Sequence, residues 1–181
     1  PLTREQIPTD KKWVIVVHPH PLPAGVKIAA QTKEFTLLHV GDGAGQTSRK
    51  AMLNGPFPSG PLVRAEGLAE QEPMGRWSNA KQVVLHLAEP LPKRLSLVLH
   101  AAAFGPNVER PFVVKVGSAV KQLRLGPVST DVTLDFDTDG SATTIGIEVP
   151  QPTSPLSLGQ SDDPRPLGIM LGSVTVKERQ E

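Results

Sequence analysis

Three carboxylates at alternate positions, Asp135, Asp137 and Asp139, followed by Gly140, form a chemically suggestive pattern in the sequence. Oxygen donors at that spacing open a calcium loop, but the position that must carry a bidentate Glu holds Gly146. Phe136 also fits the apolar face of a strand. The segment Asp137-Thr138-Asp139-Gly140 is therefore expected to be a hairpin turn, with Asp-Gly favouring a primed geometry, rather than a cation site. Gly41-Asp42-Gly43-Ala44-Gly45-Gln46-Thr47-Ser48 looks like a phosphate loop, but Val40 stands where the first glycine belongs and Gln46 replaces the lysine. It reads as a flexible loop after a strand. His18 and His20 flank Pro19, while His39, His86 and His100 fall within strand patterns, the last two opposite the leucines. No carboxylate spacing supports a zinc site, so these read as solvent-facing or groove-lining histidines. No serine occupies a Gly-x-Ser-x-Gly elbow, no His-Asp companion pattern is visible, and no carboxylate pair suits acid–base work. Neither a metal nor another cofactor is expected.

Two polar, glycine-containing segments are more distinctive. One is Gly75-Arg76-Trp77-Ser78-Asn79; the other runs from Pro150 through Ser154-Pro155, Leu158-Gly159 and Asp163-Pro164-Arg165-Pro166-Leu167 to Gly168. A Trp beside an Arg and a Ser can offer an aromatic platform with polar neighbours, an arrangement that holds a sugar ring. The alternative is structural: Trp77 plugs one end of the domain while Asp163 and Arg165 pair to fix the long loop.

The elements that must position these residues are short strands. Trp13–Val17, Val26–Ala30 and Glu34–Val40 are β-rich stretches, too few to bury a core of their own. Asn54 to Pro61 is dominated by Pro and Gly and reads as a linker or long loop, which divides the chain into a β extension (1–60) and a main domain (61–181). Beyond it the alternation is regular. Val83, Leu85 and Leu87 share a face, as do Leu95, Leu97, Leu99 and Ala101. Phe112, Val114 and Val116 follow, then Leu123 and Leu125, then Val132, Leu134 and Phe136, then Ile145, Ile147 and Val149. In the last strand Ile169 and Leu171 point one way and Val174 and Val176 change parity, which predicts a bulge near Gly172. Lys115-Val116-Gly117-Ser118 is a second expected hairpin turn. About seven strands at such spacing indicate an all-β sandwich.

Composition agrees. Nineteen prolines and 16 glycines in 181 residues favour turns over helices. A net charge of +1, from 19 basic and 18 acidic residues, offers no basic stripe, so nucleic acid is not an expected partner. The chain has no cysteine, and no apolar run approaches the roughly 20 residues that span a bilayer. It begins with Pro1 and is read as a piece of a longer protein.

Gly75-Arg76-Trp77-Ser78, His100-Ala101-Ala102-Ala103-Phe104-Gly105-Pro106-Asn107, Ser154-Pro155 with Leu158-Gly159, and Asp163-Pro164-Arg165-Pro166-Leu167-Gly168-Ile169 occur in that order in one group of domains. The stretch from about Leu62 to Val176 resembles the C-terminal β-sandwich domain of the bacterial phosphoglycerol transferase I family. The resemblance implies a jelly-roll-like appendage of a membrane-anchored envelope enzyme that modifies osmoregulated periplasmic glucans. It implies a periplasmic location and a non-catalytic segment, because the family's phosphatase-like domain has no counterpart in these residues. Its expected partners are envelope glucan or polysaccharide and the catalytic domain of the parent protein. The candidate ligand contacts are Arg76 and Trp77 as platform, with Asn107, Asp163 and Arg165 supplying hydrogen bonds.

Overall fold

A computed structural model describes residues 13–17, 27–31, 35–39 and 48–179, with the first three segments described through their strands. The chain divides into two compact units, 1–45 and 46–181. In the first, β1 (Trp13–Val17), β2 (Lys27–Gln31) and β3 (Phe35–His39) form an antiparallel sheet in the order β1-β3-β2. His18, His20 and the glycine-rich stretch 41–47 lie outside the described residues.

The second unit is a sandwich of two antiparallel sheets. Its strands are β4 (Ser48–Met52), β5 (Leu62–Glu66), β6 (Arg76–Trp77), β7 (Gln82–Leu87), β8 (Arg94–Ala103), β9 (Phe112–Val116), β10 (Ala119–Leu123), β11 (Thr130–Asp137), β12 (Thr144–Glu148) and β13 (Ile169–Glu178). One sheet has the order β11-β8-β13-β4, with β6 also on β13; the other has the order β10-β9-β12-β7-β5. Without β5 and β6, the remaining eight strands fall into sheets ordered first–eighth–third–sixth and second–seventh–fourth–fifth. That is jelly-roll connectivity, in which nearly every connection crosses from one sheet to the other.

The alternating sets read from the sequence supply the core. Val83, Leu85, Leu95, Leu97, Leu99, Phe112, Val114, Val116, Ile145, Ile147, Val174 and Phe136 are all buried between the sheets. Burial of each such side chain contributes about 1.5–3 kcal/mol, which is what fixes strand register. The Lys115–Ser118 hairpin forms as expected, with Gly117 at φ +57° joining β9 to β10. The bulge also forms: the β13–β8 register shifts between Leu171 and Ser173.

Two expectations change. The division falls at Gly45/Gln46 rather than near residue 60, because β4 pairs with β13 and sets Ala51 opposite Val174 in the core. The Pro- and Gly-rich 53–61 stretch is thus an intersheet crossover inside the sandwich. Asp137-Thr138-Asp139-Gly140 is likewise no hairpin, since β11 and β12 belong to different sheets. A local Asp-Gly signal specifies a turn but not which strand receives the chain. Here Thr138 donates its amide to the Lys93 carbonyl, which steers the chain across to the other sheet.

Candidate functional site

β6 contributes only Arg76 and Trp77, and its pairing with β13 decides where each points. Trp77 sits opposite Met170, and Met170 opposite Ala102, so all three share the outer face of that sheet. The half-buried Trp77 ring meets Phe104 edge-on, with centroids 5.9 Å apart and planes at 76°. Among the described residues no side-chain hydrogen bond engages its indole. Arg76 turns the other way. Its guanidinium donates to the carbonyls of Ala69 (3.1 Å) and Gly55 (3.1 Å) and lies over the Phe57 ring at 5.0 Å. It therefore clasps the 55–57 loop to the segment before β6.

Asp163 and Arg165 form the clamp considered as the structural alternative. The Arg165 Nε donates to both Asp163 carboxylate oxygens at 3.0 Å, its NH2 group donates to Oδ2 at 2.7 Å, and its amide donates to Oδ1 at 2.9 Å. Its NH1 group reaches Glu72 at 2.9 Å, on a tight turn 93 residues earlier in the chain. The side-chain and amide hydrogen bonds from Arg165 hold the Asp163 carboxyl below its usual value, and the paired carboxylates stabilise the guanidinium charge. Asn107 is fully buried. Its amide donates to the carbonyls of Phe104 (3.0 Å) and Gln151 (2.8 Å), and its oxygen accepts the Gln151 amide (2.8 Å). With both ends of the amide occupied, Asn107 joins two loops and is not exposed to a ligand.

All five residues named from the sequence thus gather at one end of the sandwich, but they do different work. Trp77 presents surface, whereas Arg76, Asn107, Asp163 and Arg165 tie the loops around it. Nearby sequence features have the same character. Ser78 is buried and its hydroxyl accepts the Ile169 amide at 3.0 Å. A Cβ on Gly168 would lie 2.1 Å from Val149 Cγ1.

The carboxylates of the calcium-like run are individually engaged. Asp135 accepts from Ser96, Asp137 from Arg179, and Asp139 from the amide and hydroxyl of Ser141, which lower its pKa. Among the described residues no cluster of three or more His, Asp or Glu could hold a metal ion.

Sequence reading missed features that strand pairing creates. His100 Nδ1 lies 2.7 Å from Asp131 Oδ1, and Ser173 stands opposite His100 on the same face. The three come from three strands, so no local spacing announces them. Among the described residues no hydrogen bond joins Ser173 to the ring. A hollow of about 330 Å³, lined by Arg49, Lys50, Gly60, Pro61, Ala88 and Glu89, lies between the sheet edges; a neighbouring one of about 280 Å³ shares Arg49 and Glu89. Arg49 is committed there to Glu89 (3.0 Å) and the Pro90 carbonyl (3.3 Å).

Residues 47–178 match the family described as Domain of unknown function (DUF7024). The chain belongs to the DUF7024 family. The family's extent coincides with the sandwich. This DUF7024 chain is 41% identical over 120 residues to phosphoglycerol transferase I of Escherichia coli and of Shigella boydii serotype 18. The match covers 63% of the chain and 16% of either relative. Among solved structures, a ruminal GH26 endo-beta-1,4-mannanase aligns with 76% of this chain and 27% of its own, at 9% identity and a TM-score of 0.42. So low a score carries no functional weight, and the jelly roll rests on the strand pairing itself. Among the described residues no helix is long and apolar enough to cross a membrane.

Proposed function

We propose that this sandwich is a non-catalytic accessory domain of an inner-membrane-anchored phosphoglycerol transferase, where it holds envelope glucan on the periplasmic side for the catalytic domain. The observation that carries this reading is the 41% identity to phosphoglycerol transferase I over 120 residues. The half-buried Trp77, whose indole takes no hydrogen bond among the described residues, supports a ligand contact. A ring with one apolar face and one polar handle suits a sugar. Arg76, Asn107, Asp163 and Arg165 keep that ring in place through the loops they join. Titration of osmoregulated periplasmic glucan into the chain by calorimetry is expected to give binding that Trp77→Ala abolishes. Identical heats for the two proteins would overturn the role of Trp77.

A purely structural reading, in which the domain packs on the catalytic domain and holds no ligand, has one observation in its favour. Four of the five residues first considered as ligand contacts direct their polar atoms at the chain itself. This reading predicts that Trp77→Ala lowers the melting temperature and leaves no glucan affinity to lose.

A further inference from the structure

Gly146 and Gly172 are the glycines inside strands of the sandwich, and packing accounts for only one of them. A Cβ on Gly172 would lie 2.9 Å from His100 Cδ2 and 3.0 Å from the Met74 carbonyl oxygen, so the bulge excludes a side chain. A Cβ on Gly146 would meet Lys115 Cβ at 3.8 Å and Gln82 Nε2 at 3.9 Å, which is ordinary contact. Its φ is not positive either. Gly146 nevertheless occupies β12, the middle strand of its sheet, where glycine weakens the strand and often marks close approach of another molecule.

On the outer face Gly146 is opposite Lys115 of β9 and Val84 of β7. The missing side chain bares the strand between them. Around this notch Lys115 pairs with Glu148, and Glu66 pairs with His86 (2.9 Å) and Arg64 (3.0 Å). The fixed cations Lys115 and Arg64 each face a carboxylate, so the fixed charges of this face balance while it still presents donors and acceptors. That complements a neutral, polyhydroxylated ligand and offers no advantage to an anion or a nucleic acid. Half-buried Val84 and Val113 add apolar surface suited to the C–H face of a sugar ring. The outer face of the opposite sheet differs, with Asp131, Asp135 and Asp137 along its β11 edge.

We infer that the outer face of β9-β12-β7 is a subsite for a neutral saccharide unit, with Gly146 and Val84 as floor and Lys115, Glu148, Gln82 and His86 as rim. This inference rests on the glycan-binding reading above and places a contact on a face that Trp77 does not reach through the outer row it occupies. The test uses the full chain and laminarihexaose, a neutral β-glucan fragment, followed by amide chemical shifts. Binding to wild type is expected to move Val84, Lys115 and Gly146. Gly146→Thr, which fits a strand and fills the notch, is expected to raise the melting temperature while weakening binding by about tenfold or more. A structural role alone would not couple those opposite changes. Shifts confined to Trp77 and its neighbours, with Gly146→Thr binding like wild type, would overturn the subsite and leave glycan binding standing. Absence of any shift in wild type would overturn both.

Discussion

At the scale of single residues, the contrast between Asn107 and Asp163 separates two kinds of structural commitment. Asn107 is buried with every polar atom of its amide satisfied by backbone groups. Asn107→Ala removes these hydrogen bonds and leaves the Gln151 amide without its partner, while the Gln151 carbonyl still accepts the Thr153 hydroxyl, a loss of about 1–3 kcal/mol. Urea denaturation is expected to show that loss as a lower midpoint; a midpoint within error of wild type would mean water replaces the amide. Asp163 acts instead through charge at the surface. Its carboxyl is held below the usual value of 3.8 by the side-chain hydrogen bond and then the backbone amide of Arg165. A group whose folded pKa is depressed contributes stability that is full above the unfolded value and lost as pH falls through the folded one. Wild type should therefore exceed Asp163→Asn in melting temperature at neutral pH, and the gap should close as pH drops below about 3.8. A gap that is constant from neutral to acidic pH would assign the effect to loop geometry and not to the ion pair.

At the scale of elements, the chain's own patterning explains why most strands were legible in the sequence. Alternation of Val, Leu and Ile marks β7, β8, β9 and β12 because one face of each is buried against the opposite sheet. The weak elements are those that packing does not label. β4 reads Ser-Arg-Lys-Ala-Met, an edge strand with Ala51 as its buried side chain, and its place in the sheet comes from β13. β6 is two residues long and exists because Met170 and Leu171 offer it hydrogen bonds. The site was legible to a similar degree. Trp77, Arg165 and Asp163 stand out by residue type between strands, and the Asp163–Arg165 pair is local enough to foresee. The Glu72 partner and the His100–Asp131 contact are not, because they depend on long-range register. In the sequence Gly146 does no more than break a calcium loop; the room around its missing Cβ is set by its neighbours across the sheet.

For the whole molecule, the decisive question is whether the sandwich is a self-sufficient unit. Among the described residues the buried cluster runs from Ala51 to Val176, all within the second compact unit. The family match begins at residue 47, where β4 is about to enter its sheet, so the two boundaries agree. Starting the chain at residue 61 would instead delete β4. That would expose the outer edge of β13 and remove Ala51 and Leu53, both fully buried, from the core. A fragment of residues 46–181 is therefore expected to unfold cooperatively, with the urea midpoint and slope of the sandwich transition in the full chain. A fragment of residues 61–181 should lose several kcal/mol through the vacated core volume and the unpaired strand. Circular dichroism and urea titration of both fragments check this directly. If 61–181 were as stable as 46–181, β4 would be an ornament on the sheet and the boundary would return to the Pro- and Gly-rich segment. If 46–181 failed to fold, residues 1–45 would be a structural requirement of the sandwich.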